Sequence, residues 1–118
     1  MLKLETNYGE TLNVWFHLAT YCNNNRQYIG LNSENTDYEV PFPESYCDIT
    51  VNLPDETPDE GCVFIDDSLM PEIGKWLQDN GFGEPTGYYG MSGHAVYPEY
   101  HMHMDKIMQH VNGPELDL

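Results

Sequence analysis

The chain has 118 residues and carries 20 Asp and Glu against 4 Lys and Arg, a formal net charge of −16 at neutral pH. The length fits a single domain, 1–118, able to bury roughly two-thirds of its unfolded surface. The charge excludes direct binding of nucleic acid or anionic membrane, and an apolar share of 40% with nine Tyr excludes a disordered acidic tail.

Leu2 to Thr6 alternates apolar and polar side chains and predicts a short strand. Asn7-Tyr8-Gly9-Glu10 supplies turn chemistry. Thr11 to Ala19 places Leu12, Val14, Phe16 and Leu18 on one face, which completes an N-terminal hairpin. Gln27 to Leu31 follows as a third strand. Asn32 to Tyr46 reads as a loop, because Pro41 and Pro43 argue against a long central strand. Cys47 to Leu53 alternates again, and Cys62 to Ile65 is a short apolar run that suits another strand. Pro54 to Gly61 between them is an acidic turn region.

A main helix is predicted over about 69–80, with Met70, Ile73, Trp76 and Leu77 on one face. Ser68 or Asp67 can cap it, and Asn80-Gly81 stops it with Gly81 in the left-handed position. Gly83 to Gly93 reads as a glycine-spaced loop carrying Tyr88, Tyr89 and Met91. Ala95 to Met104 predicts a last strand or strand pair, and Asp105 to Val111 a short C-terminal helix ended by Asn112-Gly113-Pro114. The expected fold class is α+β: a mostly antiparallel sheet of about five or six strands, with the main helix packed on one face.

Cys22, Cys47 and Cys62 are odd in number and contain no CxxC pair, so reduced thiols are expected. No apolar run approaches the roughly 18 residues of a membrane span, and Met1 to Glu5 lacks the apolar core of a signal peptide. The expected compartment is the cytoplasm.

The 48 residues between Arg26 and Lys75 contain no Lys or Arg and 12 Asp or Glu. Such a field attracts basic surfaces, above all those of nucleic-acid-binding proteins. Glu34, Asp37, Glu39, Glu44, Asp55, Glu56, Asp59, Glu60, Asp66 and Asp67 are therefore candidate partner-binding residues. Tyr88 and Tyr89 are candidate anchors, since Tyr brings large contact area with few rotatable bonds. Trp76 is a further candidate but sits on the apolar helix face. The bland alternatives are a solubilising acidic surface and tyrosines that cover the edge of the core.

His101-Met102-His103 places two imidazoles on one strand face, and His94, Glu99, His110 or Cys62 could complete a zinc-type site. HxH alone does not specify a metal, so exposed, non-ligating histidines and no cofactor are expected. Ser92 in Gly90-Met91-Ser92-Gly93-His94 does not make a nucleophile elbow, and paired carboxylates among 20 carry no inference, so no enzyme is expected.

Several stretches together resemble a known family. These are Val51-Asn52-Leu53-Pro54, the helix start Asp66-Asp67-Ser68-Leu69-Met70-Pro71-Glu72, Asn80-Gly81 with Glu84-Pro85-Thr86-Gly87, Gly90-Met91-Ser92-Gly93, and Tyr97-Pro98-Glu99-Tyr100. The chain resembles small proteins of unknown function carried on bacterial conjugative elements and phages, chiefly over its second half. The resemblance implies a genomic setting and carries no catalytic residues. Ser33 to Pro43 and the histidines after Tyr100 do not look like shared features.

Charge and resemblance together lead to one expectation. The chain is a non-enzymatic inhibitor of a host defence protein, a CRISPR nuclease or restriction enzyme, acting by nucleic-acid mimicry as a monomer or small homo-oligomer. The alternatives are a small accessory or ligand-binding module, acidic only for solubility, and a metal-dependent activity around His101 and His103.

Overall fold

Side-chain alternation builds most of this molecule, and glycine and proline hide it in places. The computed structural model describes residues 2–5, 9–35, 42–68 and 70–112, in which eight strands form two four-stranded antiparallel sheets. The first sheet holds β1 (Leu2–Glu5), β2 (Thr11–Thr20), β3 (Gln27–Asn35) and β4 (Phe42–Asp48), side by side in that order. The second holds β5 (Thr50–Val51), β6 (Cys62–Ile65), β7 (Gly83–Ser92) and β8 (Ala95–Met102), in the order β5-β6-β8-β7. Helix α1 spans Ile73–Asp79, and the single turn α2 (Met104–Ile107) runs into a 3₁₀ turn, Met108–His110. Thr6 to Tyr8, Pro41, Leu69 and Gly113-Pro114, to which turn, edge and helix roles were assigned above, lie outside the described residues.

The expectation of an α+β fold, with one sheet and a main helix over about 69–80, is corrected. Strands dominate, they form two sheets, and α1 has only seven residues. Three local causes account for the difference. Gly83 to Gly93, expected as a loop, is β7. Its glycines and Pro85 lower β propensity, yet cross-strand pairs such as Met91↔Val96 and Ser92↔Ala95 complete a hairpin ladder with β8. Most of the expected Asn32–Tyr46 loop also belongs to strands, since β3 continues to Asn35 and β4 begins at Phe42. Pro43 fits there because β4 is an edge strand, where a missing N–H is tolerated. Lastly, Ser68 does not cap the helix. Its N and Oγ both donate to Asp66 Oδ1 (3.1 and 2.5 Å), forming a turn upstream, and Glu72 takes the N-cap position without a side-chain cap.

The helix stop follows the sequence closely. Gly81 has φ +73°, its N–H donates to Gln78 O, and Phe82 N–H donates to Leu77 O at 2.9 Å. This is the paired hydrogen-bond pattern of a left-handed helix end, which a glycine adopts without a Cβ clash.

The predicted Cys47–Leu53 strand breaks at Ile49, where the chain passes from one sheet to the other. Ile49 N–H donates to Ile29 O of the first sheet, and Ile49 O accepts from Asp66 N at the end of β6. Thr50, buried beside this corner, is satisfied by Ile29 N and by the Tyr21 hydroxyl. The core lies between the sheets. Phe16 and Phe82 meet edge to face at 4.9 Å, and Leu77, Ile29, Ile65 and Met102 pack in the same cluster. Trp76 is part of this packing, 6.0 Å from Phe16 and 5.6 Å from Phe82. Its Nε1–H donates to Lys3 O at 2.9 Å, tying α1 to β1.

The second sheet is covered on both faces. Val63, Ile65, Tyr100 and Met102 face the core, so alternation turns Cys62, Phe64, Glu99 and His101 to the outer face. Residues 52–61 cross that outer face, and Leu53 and Phe64 are both buried there. Gly90 makes this possible. A Cβ at that position would lie 2.7 Å from Leu53 Cδ1 and 2.7 Å from Phe64 Cε1. No helix among the described residues is long and apolar enough to cross a membrane.

Candidate interaction surface

The acidic segment over the second sheet is fastened by carboxylates. Glu99, on the outer face of β8, is only 3% exposed. Its Oε1 accepts from Thr86 Oγ1 at 2.7 Å and its Oε2 from Asp59 N–H at 3.2 Å, so a buried acid holds the loop to the sheet. Glu56 makes the second attachment, accepting from the Tyr88 hydroxyl at 2.9 Å and from Met91 N–H at 3.5 Å. Asp55, Asp59 and Glu60 stay exposed between these points. A pocket of about 210 Å³ lies here, lined by Thr57, Asp59, Thr86, Tyr88 and Glu99.

The fields of these carboxylates converge. The Tyr88 hydroxyl is pushed above its ordinary value, first by its hydrogen bond to Glu56, then by the charges of Glu56, Glu99 and Asp59 and by a little desolvation. The Cys62 thiol is also raised, first by burial and then by Glu99, Asp59 and Glu84. The three lysines are engaged elsewhere, and Arg26 is tied to the start of the loop segment. Lys3 bonds Asn13, Lys75 pairs with Asp79, Arg26 Nη1 donates to Leu53 O at 2.7 Å, and Lys106 donates to Asn80 O while lying over the Phe82 ring.

The long acidic window is thus several groups rather than one surface. Asp55, Glu56, Asp59 and Glu60 form the loop group on the second sheet. Asp66 is half-buried and bonded to Ser68, and it acts with exposed Asp48 on the half-buried Cys47 thiol, which burial first pushes up, to raise it to about 11. Half-buried Asp67 acts on Tyr100, whose hydroxyl is raised first by burial. Glu34 is half-buried on β3, Glu44 belongs to β4 of the same sheet, and Asp37 and Glu39 lie outside the described residues. Tyr88 and Tyr89 are 51% and 58% exposed and point to opposite faces of the hairpin. Tyr88 covers the outer face near Phe64, whereas Tyr89 shares its face with exposed Met91 and Val96.

Glu84 and Glu99 escape a reading based on the window because both follow Lys75. The signal that could have found them is alternation: Glu99 and His101 are two residues apart on β8, and Glu84 is the register partner of His101 on β7. Glu84 joins the two histidines. Its Oε1 lies 3.5 Å from His101 Nδ1 and its Oε2 2.6 Å from His103 Nε2. None of the completing donors named from the sequence joins them in this group. His94 is in the β7–β8 turn, His110 packs on Phe82, Glu99 holds the loop, and Cys62 is the β6 neighbour of His101 in register. All three cysteines are free thiols.

The loop face can offer fixed negative charge and exposed Tyr88, and the opposite face of the hairpin Tyr89 with a small apolar patch. No curated protein and no solved structure matches the chain. The model of the family described as "Domain of unknown function (DUF4313)" matches residues 15–114, from β2 through the second sheet, and the chain belongs to that family.

Proposed function

We propose that this protein is a non-enzymatic acidic interaction protein that occupies the cationic groove of a nucleic-acid-binding partner. The observation that supports this most is the convergence of Glu56, Asp59, Glu84 and Glu99 on one face, with the three lysines bonded elsewhere and Arg26 held to the Leu53 carbonyl. Duplex DNA carries one negative charge per roughly 1.7 Å of axis, and a basic groove that binds a carboxylate array releases the same counterions. Each exposed ion pair is worth only about 0.2–1 kcal/mol, so the effect depends on several acting together. Because the loop is pinned at Glu99 and Glu56, little ordering is needed on docking. The resemblance to proteins of conjugative elements and phages supports a mobile-element setting. There the partner would be a defence nuclease of the CRISPR or restriction type, an extension by analogy of setting.

The test is titration of the protein into nuclease–DNA complexes of both types at low and moderate salt. The expected result is DNA displacement that weakens as salt rises. No displacement at either salt would remove the proposal.

A second reading has its own observation. A cavity of about 310 Å³, lined among others by Tyr21, Arg26, Leu53, Phe64 and Met104, lies near the junction of the sheets. It is at the lower end of small-molecule pocket volumes and suits a ligand-binding module that is acidic only for solubility. Stabilisation by a small-molecule library, undiminished when loop carboxylates are neutralised, would favour it.

A further inference from the structure

We propose that Glu84, His101 and His103 form a zinc-type divalent metal site on the β7–β8 hairpin. One donor atom from each residue lies within 4.8 Å of the others, the only such group of three among the described residues. Donors around a zinc at about 2.0–2.1 Å stand roughly 3.3 Å apart in a tetrahedron, so modest rotamer adjustment seats an ion. The Glu84 Oε1–His101 Nδ1 separation of 3.5 Å already approaches that edge. The shorter Glu84 Oε2–His103 Nε2 contact, 2.6 Å, is a hydrogen bond whose shared proton a metal ion would replace.

The backbone holds the three positions firmly. Glu84 and His101 are register partners, and Met102 N–H donates to Gly61 O at 3.0 Å. His103 N–H donates to Phe82 O at 2.9 Å. His101 lies on β8 and His103 directly follows the strand as the N-cap residue of α2, and their rings lie 5.3 Å apart. Gly61 brings only backbone close to His101 Nε2: a Cβ there would stand 3.4 Å from it. His101 therefore presents Nδ1 to the ion and His103 presents Nε2.

Two imidazoles and one carboxylate match the borderline preference of zinc and not the all-oxygen preference of magnesium or calcium. All three side chains are 40–54% exposed, so a fourth position is open to water. The carboxylates of Glu99 and Asp59, near enough to act on Cys62 beside His101, add a field that favours a cation.

The experiment uses the untagged full chain, stripped with chelator and dialysed against micromolar zinc with excess magnesium, with bound metal read by elemental analysis. Cobalt(II) absorption serves as an independent probe of coordination. The expected result is one equivalent of zinc and a cobalt spectrum of low coordination number. His101→Ala and Glu84→Gln should each weaken binding at least about tenfold, the lower bound even for changes in outer-shell groups. Glu5→Gln, on β1, should leave binding intact, and circular dichroism verifies that each variant is folded. No zinc uptake overturns the site. So does uptake that magnesium displaces, or that the His101 and Glu84 variants leave undiminished, since either describes a diffuse ion atmosphere.

Discussion

The two sheets are built from the same alternation and finish it differently. β2 and β3 of the first sheet send Val14, Phe16, Ile29 and Leu31 to the core, and the β1–β2 and β2–β3 ladders run without a register shift. The second sheet also fills the core from one face, but its other face is closed by the acidic loop over Leu53, Phe64 and Glu99. The comparison teaches where charge can be held in fixed positions. An acidic residue on an open strand moves freely, whereas one on a loop anchored through a buried carboxylate does not. Fixed charge is what recognition of a cationic groove needs.

Removing packing that both sheets share should give the largest effect. Phe16→Ala deletes the ring that meets Phe82 and Trp76. It should lower stability by about 3–5 kcal/mol, much of the roughly 5–15 kcal/mol typical of a domain, as measured by denaturant unfolding. Glu99→Ala tests the outer face alone. It leaves Asp59 N–H without its acceptor and Thr86 Oγ1 with only the longer contact to Glu99 O at 3.4 Å, and should cost about 1.5–3 kcal/mol. Glu99→Gln keeps an acceptor and should cost less, and amide exchange at Asp59 should quicken more in the Ala variant. A neutral Glu99→Ala would mean that the loop is held by something else and that the two sheets differ less than described.

Trp76→Phe keeps a ring and loses the donor to Lys3 O. A cost of about 0.5–1.5 kcal/mol is expected, with faster exchange in β1.

Alkaline titration probes burial group by group. Tyr21, Tyr28, Cys47 and Tyr100 are all raised chiefly by burial, Tyr28 also through its hydrogen bond to Asp48. A raised acid is held in its neutral form by the fold. Its contribution is complete below the unfolded value and disappears as pH climbs through the folded value. For Cys47 that window runs from 9.0 to about 11. Melting temperature should hold steady up to about pH 9 and fall beyond it, and Cys47→Ala should flatten the first part of the fall.

The legible parts of the sequence were those in which one local rule acts alone. The Leu2–Thr20 hairpin, the Cys62–Ile65 strand and the Asn80-Gly81 stop each follow from alternation or a left-handed glycine. What stayed hidden needed two elements at once. β7 is a strand because β8 pairs with it, against the preference of Pro85 and its glycines. The break at Ile49 exists because two sheets claim the two sides of one residue. Ser68 fails as a cap because Asp66 offers a nearer acceptor. In the candidate site, the charged window located the loop group but also swept in Asp66 and Asp67, which lie elsewhere. Glu84 enters only through sheet register, and Glu99, named from the sequence as a possible metal donor, takes its place as the loop's anchor only through the structure.

The central claim is that fixed charge over the second sheet, and not total charge, recognises a cationic partner. Two variants of matched charge separate these. One neutralises Asp55, Glu56, Asp59 and Glu60; the other neutralises Glu5, Glu10, Asp79 and Asp105. Both would be titrated against the same nuclease–DNA complex beside the unaltered protein. The account predicts that the first loses displacement while the second retains most of it. Equal loss in both, or full activity of the loop variant, would contradict it.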